Sequence, residues 1–314
     1  METWKSFEEK VAESIQANSI IFLRRAAHEI ANHDDDDNAG FSHETGTIVT
    51  VLTQMALELA IASFLVKHDG IRSILAFRDK LTDDEIRKKW SNNELRTKKF
   101  EEYKQLLEEK HHGTWSVFDG IVDTFQMSRN KIMHLHFNFD EADLYDLKFE
   151  STFVLIHATS YFIFGDSYDH ANNISSILPK ETFLNLIKFP PYQYHVAKLA
   201  EEYSKVVLRC PMCEQVAFSD LELKCFSCTY EDPFADLLYC PECTERSVIY
   251  DHLNIDINDR LPTLCLNCED RREVVKCSSC ETPFITSDSD SYCSPECAED
   301  AHTSSRQPAP TTKE

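Results

Sequence analysis

Twelve cysteines crowd into one part of the chain at a spacing suited to metal binding. All of them lie between Cys210 and Cys297, and none occurs in the first 209 residues. Chance gives roughly half a Cys-x-x-Cys pair in a chain of this composition, yet five occur. The pairs are Cys210/Cys213, Cys225/Cys228, Cys240/Cys243, Cys265/Cys268 and Cys277/Cys280, followed by the wider pair Cys293/Cys297. A Cys-x-x-Cys turn lets two thiolates meet one ion, and a second pair completes a tetrahedron.

Taken in chain order, these cysteines predict three four-cysteine zinc sites. All three are expected to be structural, because four protein ligands leave no position for water or substrate. Sequential pairing is favoured by its short loops, whereas a cross-braced arrangement and redox-active dithiols are the alternatives. Residues 210–228 and 240–268 resemble zinc ribbons. Residues 277–297 resemble a treble clef, whose last ligand pair begins a short helix.

A second group of reactive side chains lies in the segment Arg129-Asn130-Lys131-Ile132-Met133-His134. Arg129 could hold a phosphate through two N–H groups and stabilise the charge developing on it. His134 could exchange a proton with a ribose 2′-hydroxyl or a leaving oxygen near neutral pH, while Asn130 orients the imidazole or a phosphate oxygen. This chemistry requires no metal. An Arg five positions before a His occurs roughly half a time by chance, and the alternative interpretation is a helix-capping Arg beside a partly buried His.

Helical geometry restricts how these side chains could meet. On a continuous helix Asn130 and His134 lie about 40° apart, whereas Arg129 and His134 lie about 140° apart. Both Arg129 and His134 can therefore reach one site only if Arg129 lies at the start of a helix or if one of them comes from a second protomer. The second case predicts a composite site in a homodimer.

The elements around this segment are predicted to be helices almost throughout residues 1–205. Apolar residues recur at steps of three and four from residue 4 to 30, and a second apolar run ends at Gly70. Thr82 and Glu85 form a capping-box pattern, and residues 149–164 are apolar enough to lie in the centre of the bundle. His157 within them is expected to be a satisfied core histidine. Further helices are predicted over residues 45–67, 94–110, 115–127 and 192–207, and from residue 139 onward.

The fold class is therefore an all-α helical bundle followed by a small zinc-stabilised, irregular and β-rich module. The predicted boundaries are 1–205 for the bundle, 206–300 for the three zinc units and 301–314 for a disordered tail. Residues 48–66 are long enough to suggest a membrane span, but Gln54 and Glu58 favour a buried core helix. The first residues do not resemble a signal peptide, so a cytoplasmic protein without a membrane association is expected. In that compartment paired cysteines are metal ligands more often than disulfides.

The net charge of −22 argues against indiscriminate binding to nucleic acid. Residues 1–205 carry 23 basic against 33 acidic residues, and residues 206–314 carry 9 against 21. The acidic zinc module therefore favours a protein partner or a specific role over general RNA affinity. One basic cluster could still face RNA, although an ordinary exposed helix face is the alternative: Arg87, Lys88, Lys89, Arg96, Lys98 and Lys99.

The segment from Arg129 to His134 resembles the motif of the HEPN (higher eukaryotes and prokaryotes nucleotide-binding) superfamily. In that family an Arg, usually followed by Asn, precedes a His by four to six positions late in a helical bundle; the resemblance covers roughly residues 1–170. It implies a dimeric, metal-independent endoribonuclease with Arg129, Asn130 and His134 as catalytic residues, leaving a cyclic phosphate and a 5′-hydroxyl. Many members are toxins or antiviral effectors. Others are non-catalytic scaffolds, in which case the zinc module would bind a protein, an inhibitor or a nucleic acid.

Overall fold

The chain forms two compact units, Met1–His195 and Val196–Glu314. A computed structural model describes residues 3–32, 40–76, 81–111, 113, 118–133, 139–165, 177–253, 255, 260–286 and 291–304. The division between the units falls inside a helix, Pro190–Glu202, ten residues before the boundary at residue 205 predicted from the sequence. Each unit is described by itself below.

The first unit is helical, which confirms the fold class predicted for this part of the chain. Its helices are α1 (Trp4–Ala31), α2 (His43–Asp69), α3 (Asp83–Ser91), α4 (Phe100–Lys110), α5 (Asp119–Met133), α6 (Glu141–Phe153), α7 (Ser160–Phe164), α8 (Lys180–Ile187) and α9 (Pro190–Glu202). A short 3₁₀ helix, Ile71–Ile74, follows α2, and a π-helical turn, Val154–Thr159, joins α6 to α7.

Helices α1 and α2 pack antiparallel along most of their length. The Ser19 hydroxyl donates to the Ala56 carbonyl oxygen at 2.7 Å, and the Ser63 hydroxyl donates to the Ala12 carbonyl oxygen at 2.8 Å. Small residues at the contact let the two backbones approach, and the buried hydroxyls are satisfied by carbonyl groups across the interface. Helix α2 has the length and composition of a membrane span, and 67% of its most apolar window is buried inside the protein.

Three predicted helices have different ends in the structure. The helix predicted over residues 115–127 corresponds to α5, which continues to Met133. The helix predicted over residues 94–110 begins only at Phe100, because the preceding residues pair with another backbone segment: the Lys98 amide donates to the Ile74 carbonyl at 2.8 Å. The helix predicted over residues 192–207 ends at Glu202, since Val207 starts a strand. The capping box at Thr82 is confirmed.

The π-helical turn carries the histidine that was expected to be a satisfied core residue. His157 Nε2 lies 3.0 Å from the Tyr192 hydroxyl, and its ring stacks on Phe153 with the ring centroids 4.3 Å apart. The histidine therefore has polar and aromatic partners within the helical core, and the prediction is confirmed.

The second unit consists of short antiparallel strands and a final helix. The strands are β1 (Val207–Arg209), β2 (Val216–Ser219), β3 (Ala235–Tyr239), β4 (Arg246–Asp251), β5 (Leu261–Leu264), β6 (Arg271–Lys276) and β7 (Pro283–Thr286). β1 pairs with β2, β3 with β4, and β5, β6 and β7 form one sheet in that order. The helix is α10 (Pro295–Ser304). Residues 301–304, predicted to begin a disordered tail, are thus helical, and residues 305–314 lie outside the described part of the chain.

A buried carboxyl group lies where α5 packs against α6. Glu150 is 7% exposed, and the Ser128 hydroxyl of α5 donates to its Oε2 at 3.1 Å. Burial raises the pKa of Glu150 from 4.5 to about 7, and Asp146 adds to the rise. Hydrogen bonds from Ser128 and Thr124 and the charge of Lys131 oppose it. The α5–α6 contact is therefore more stable when this carboxyl is protonated.

We predict that replacing Glu150 by Gln flattens the pH dependence of the stability of the helical unit. The raised pKa means that the folded protein holds the Glu150 proton more tightly than the unfolded protein. The stabilisation by the protonated carboxyl is fully present below pH 4.5 and is lost as pH rises through 7. Between pH 6 and pH 8 this lowers the free energy of unfolding by about 1 kcal/mol. Thermal unfolding followed by helical circular dichroism should show a smaller fall in Tm for E150Q than for the unaltered protein. An equal fall in both would contradict the assignment.

Candidate metal centres and the Arg129–Asn130 surface

The Cys-x-x-Cys turns lie mainly at the tips of the β-hairpins. Cys210/Cys213 connects β1 to β2, and Cys240/Cys243 connects β3 to β4. Cys265/Cys268 and Cys277/Cys280 lie in the same way at the two turns of the three-stranded sheet. Strand pairing therefore holds these four pairs of thiols at the ends of two-stranded ladders.

All five turns have the same backbone geometry. In the first, the Cys210 amide donates to the Gln215 carbonyl at 2.8 Å, and the Glu214 amide donates to the Cys210 carbonyl at 3.0 Å. The corresponding bonds recur in the other four turns at 2.7–3.0 Å and 2.9–3.0 Å. The residue after the second cysteine always has a left-handed φ between 60° and 64°; these residues are Glu214, Thr229, Thr244, Glu269 and Glu281. None of these residues is Gly, so this repeated conformation could not be predicted from a glycine at the position.

The turns bring the cysteines together as three tetrads in chain order. They are Cys210/Cys213/Cys225/Cys228, Cys240/Cys243/Cys265/Cys268 and Cys277/Cys280/Cys293/Cys297, called the first, second and third tetrad. Within each tetrad the sulfur atoms all lie within 4.8 Å of one another. The predicted sequential pairing is confirmed, and the cross-braced alternative is not formed.

The sulfur–sulfur distances fit a tetrahedral ion rather than disulfides. They are 3.6 Å for Cys210–Cys228, 3.8 Å for Cys240–Cys268 and 3.5 Å for Cys280–Cys293. A tetrahedron of thiolates about 2.3 Å from a metal has edges of about 3.8 Å, whereas a disulfide is about 2.05 Å long. Each tetrad therefore has the ligands and the spacing for one metal ion.

The electrostatics of the first tetrad also favour a cation. Hydrogen bonds from the neighbouring thiols, that of Cys210 above all, hold the pKa of Cys213 far below its usual range. Burial raises the pKa of Cys225 well above it, and the adjoining thiols raise the pKa of Cys228. One thiolate thus suppresses ionisation of its neighbours. A divalent ion at the centre would allow all four to ionise.

Backbone and hydroxyl groups outside the cysteines orient the sulfur atoms. The Met212 amide donates to Cys210 Sγ at 3.4 Å, and the Ser227 amide donates to Cys225 Sγ at 3.3 Å. The fully buried Ser247 hydroxyl lies 3.0 Å from Cys265 Sγ and 3.6 Å from Cys243 Sγ. The sequence analysis did not identify Ser247, because a single Ser four residues after a Cys carries no recognisable signal.

The other predicted site lies on the last turns of α5. Arg129 is half-buried, Asn130 is exposed, and the Arg129 guanidinium donates to Asn130 Oδ1 at 2.9 Å. No carboxylate within the described residues forms an ion pair with Arg129. His134, the predicted proton-transfer residue, lies outside the described residues. Because Arg129 is ten residues after the start of α5, it does not lie at the beginning of a helix.

Two polar contacts fix the rotation of α5 and so the direction of this pair. Gln126 donates to Gln54 Oε1 of α2 at 2.5 Å, while Ser128, about 200° around the helix, contacts Glu150 of α6. Counted around the axis of α5 from Gln126, Asn130 lies about 40° in one direction and Arg129 about 60° in the opposite direction. The pair therefore extends the side of α5 that faces α2.

Four apolar side chains are exposed on α2 and on α5. Ile48, Val51, Met127 and Met133 are 40%, 41%, 59% and 51% exposed. Helix α5 starts near the end of α2, since Phe118 packs on Phe162 and Phe162 packs on Phe64. The two helices thus run antiparallel, and the last turns of α5 lie toward the first turns of α2. We call these four side chains the α2–α5 apolar surface.

The predicted basic cluster is divided between internal contacts and the surface. The Arg87 guanidinium lies 4.6 Å from the centre of the Phe7 ring and donates to the Thr3 carbonyl at 3.2 Å. Lys98 Nζ donates to the carbonyl oxygens of Ser73 and Leu75 at 2.8 and 2.7 Å. These two cations therefore stabilise the fold. Lys88, Arg96 and Lys99 are exposed and Lys89 is half-buried.

Comparison with models of known protein families, with characterised proteins and with solved structures gives no match for this chain. The chemistry of the tetrads and of the Arg129–Asn130 pair is therefore the basis on which a function can be proposed.

We predict that Thr229→Gly makes the first tetrad hold its ion more tightly. Thr229 has a φ of 60°, which is unfavourable for a β-branched residue, and its buried hydroxyl has no partner among the described residues. Removing the unfavourable φ and the hydroxyl should stabilise the folded turn by about 0.5–1 kcal/mol. This figure allows for the greater conformational freedom of Gly in the unfolded chain. The measurement is the concentration of competing chelator that removes half of the ion, which should rise about two- to fivefold.

Thr229→Ala is the matched control, because it removes the hydroxyl but keeps the Cβ at positive φ. It should give a smaller rise than Thr229→Gly. Equal effects would show that backbone conformation does not limit the stability of the turn.

Proposed function

We propose that this chain is a dimeric, metal-independent endoribonuclease of the HEPN type, with a second unit stabilised by three structural zinc ions. The observation that carries the proposal is the Arg129–Asn130 pair, an arginine side chain bonded to a neutral amide on the accessible last turns of α5. Its place in an all-helical unit agrees with the resemblance. A cytoplasmic toxin or antiviral effector is the role that this chemistry would serve.

The proposed reaction is an intramolecular transfer on the RNA chain. His134 takes the proton of a ribose 2′-hydroxyl or supplies one to the leaving oxygen, and water makes the other proton transfer. The 2′-oxygen attacks the adjacent phosphorus. The bond from phosphorus to the 5′-oxygen breaks, which gives a 2′,3′-cyclic phosphate and a 5′-hydroxyl. Arg129 binds the phosphate oxygens and stabilises their added charge, while Asn130 holds the guanidinium through its amide oxygen.

A dimer would supply what one protomer lacks. Arg129 and His134 would lie about 140° apart if α5 continued by one residue, and Arg129 is not at the start of the helix. A second protomer docked on the α2–α5 apolar surface would cover Ile48, Val51, Met127 and Met133 and bring a second copy of the pair close by. The proposed site therefore contains residues of both protomers.

Zinc is the ion that best suits the three tetrads. Four thiolates in a closed tetrahedral arrangement match the preference of zinc, and they leave no position for substrate. The ions would hold the hairpin tips together in a unit of short strands. They would take no part in RNA cleavage.

A non-catalytic scaffold is the second candidate. The charge of −22 and the tetrad-stabilised hairpins favour a unit that recognises a protein, such as an inhibitor, over one that holds RNA generally. In that case the helical unit would serve for dimerisation.

We predict that the purified protein cleaves RNA in a buffer with EDTA and no added divalent ion. Arg129→Ala and His134→Ala should each lower the rate at least about 100-fold, because each removes a group that acts in the transition state. New 5′-hydroxyl ends, detected by phosphorylation with a polynucleotide kinase, would identify the reaction.

Arg25→Ala is the matched control for charge, since Arg25 is an exposed helical arginine paired with Glu29. It should cleave at the unaltered rate. Equal cleavage by all variants would overturn the site assignment, and no cleavage of any RNA by the unaltered protein would favour the scaffold.

The zinc proposal has its own measurement. Elemental analysis of freshly purified, reduced protein should find about three zinc ions per chain, and Cys213→Ser should lower the number to about two. Protein that refolds to its native stability without any metal would contradict a structural role.

A further inference from the structure

The three tetrads differ in how well the protein shields their sulfur atoms. All four thiols of the first tetrad are buried. In the third tetrad Cys277 alone is buried, Cys280 and Cys293 are exposed, and Cys297 is half-buried. A solute therefore reaches three ligands of the third tetrad without any opening of the structure.

The tetrads also differ in what else holds their ligands. The first lies against the buried side chains of Leu208, Ala217 and Phe218. The third takes two ligands from residues 291–304, called here the C-terminal arm, and none of residues 291–299 is buried. A backbone hydrogen bond of 2.9 Å from Ser278 to Ser291 and the thiols themselves connect the arm to the sheet. Binding of an ion would therefore add two metal–sulfur bonds that hold the arm to the sheet.

We infer that the third tetrad is an oxidation site, at which hydroperoxides react before they reach the other tetrads, releasing the ion and freeing the C-terminal arm. This inference rests on the zinc part of the proposed function and is independent of RNA cleavage. It follows from the exposure of the ligands together with the absence of buried residues among residues 291–299.

The reaction needs two thiols of the tetrad and one hydroperoxide. A thiolate attacks the terminal peroxide oxygen, the O–O bond breaks, and the departing oxygen takes a proton to leave as water or an alcohol. A second thiol attacks the resulting sulfenic acid, forms the S–S bond and releases water. The peroxide is reduced by two electrons, the two sulfurs are oxidised, and the ion loses two ligands.

Cys293 is placed to form this disulfide with either neighbour. Its Sγ lies 3.5 Å from Cys280 Sγ and 3.6 Å from Cys297 Sγ. A movement of about 1.5 Å would bring either pair to bonding distance. Either disulfide would remove Cys293 and one further accessible ligand from the ion.

Acidic neighbours define the class of oxidant. Glu281 follows Cys280, and Glu296 precedes Cys297. Their charges disfavour anionic oxidants near the sulfurs, while neutral hydrogen peroxide and alkyl hydroperoxides are unaffected. Neutral hydroperoxides are therefore the expected reactants.

The test uses the full chain loaded with zinc and titrated with hydrogen peroxide. A chromogenic chelator reports released zinc, and the neutral reagent N-ethylmaleimide then labels the remaining thiols for peptide mass spectrometry. We expect about one of the three ions to leave first, with oxidation confined to Cys280, Cys293 and Cys297. Limited proteolysis should cut within residues 291–304 after this step, and dithiothreitol with zinc should restore resistance.

Two matched variants separate this site from the others. Cys293→Ser should lose the early phase of zinc release, whereas Cys213→Ser should retain it. Simultaneous release from all tetrads, earlier oxidation within residues 210–228, or an arm that stays resistant to protease after release would overturn the inference. A chain that takes up no zinc at the loading step would overturn the zinc proposal as well.

Discussion

The second unit depends on bringing four thiols within bonding distance of one point. Sulfur atoms 3.5–3.8 Å apart cannot all be thiolates without a cation between them, because each suppresses ionisation of the next. A cation at the centre attracts all four thiolates, and this attraction holds the two cysteine turns of each tetrad together. Short strands such as Val207–Arg209 and Leu261–Leu264 need this attraction, since three or four residues in register bury little apolar area.

The helical unit is stabilised by packing and hydrogen bonds between its own helices. Its long α1–α2 pair buries alanines and satisfies serine hydroxyls across the interface, so it has a core without any ion. Polar contacts also lie where α5 meets its neighbours, between Gln54 and Gln126 and between Ser128 and Glu150. These hydrogen bonds require a particular orientation of donor and acceptor, whereas apolar packing does not. They determine the rotation of α5 and hence where Arg129 and Asn130 point.

Sequence patterns predicted the features that depend on local spacing. The cysteine pairs specified three sequential tetrads, and Thr82 with Glu85 specified a capping box. Features that depend on distant backbone were not predictable: residues 94–99 are extended because Lys98 bonds to Ile74, a pairing without any periodic signal. Glu150 was missed for a similar reason. A single Glu on a helix is ordinarily solvated, and burial against Ser128 arises only when α5 and α6 pack.

If Arg129 is to bind phosphate as proposed, its charge must stay available in so acidic a chain. Exposed arginines here commonly pair with carboxylates, as in Arg72–Asp83 and Arg260–Glu273. Arg129 instead bonds to the neutral oxygen of Asn130, which orients the guanidinium without compensating its charge. The net charge of −22 repels RNA at a distance, but physiological salt screens that repulsion beyond about 8 Å. Contact with RNA would then be decided by the groups within a few ångströms of the phosphate, where a guanidinium unpaired with acid has the advantage over one already in an ion pair.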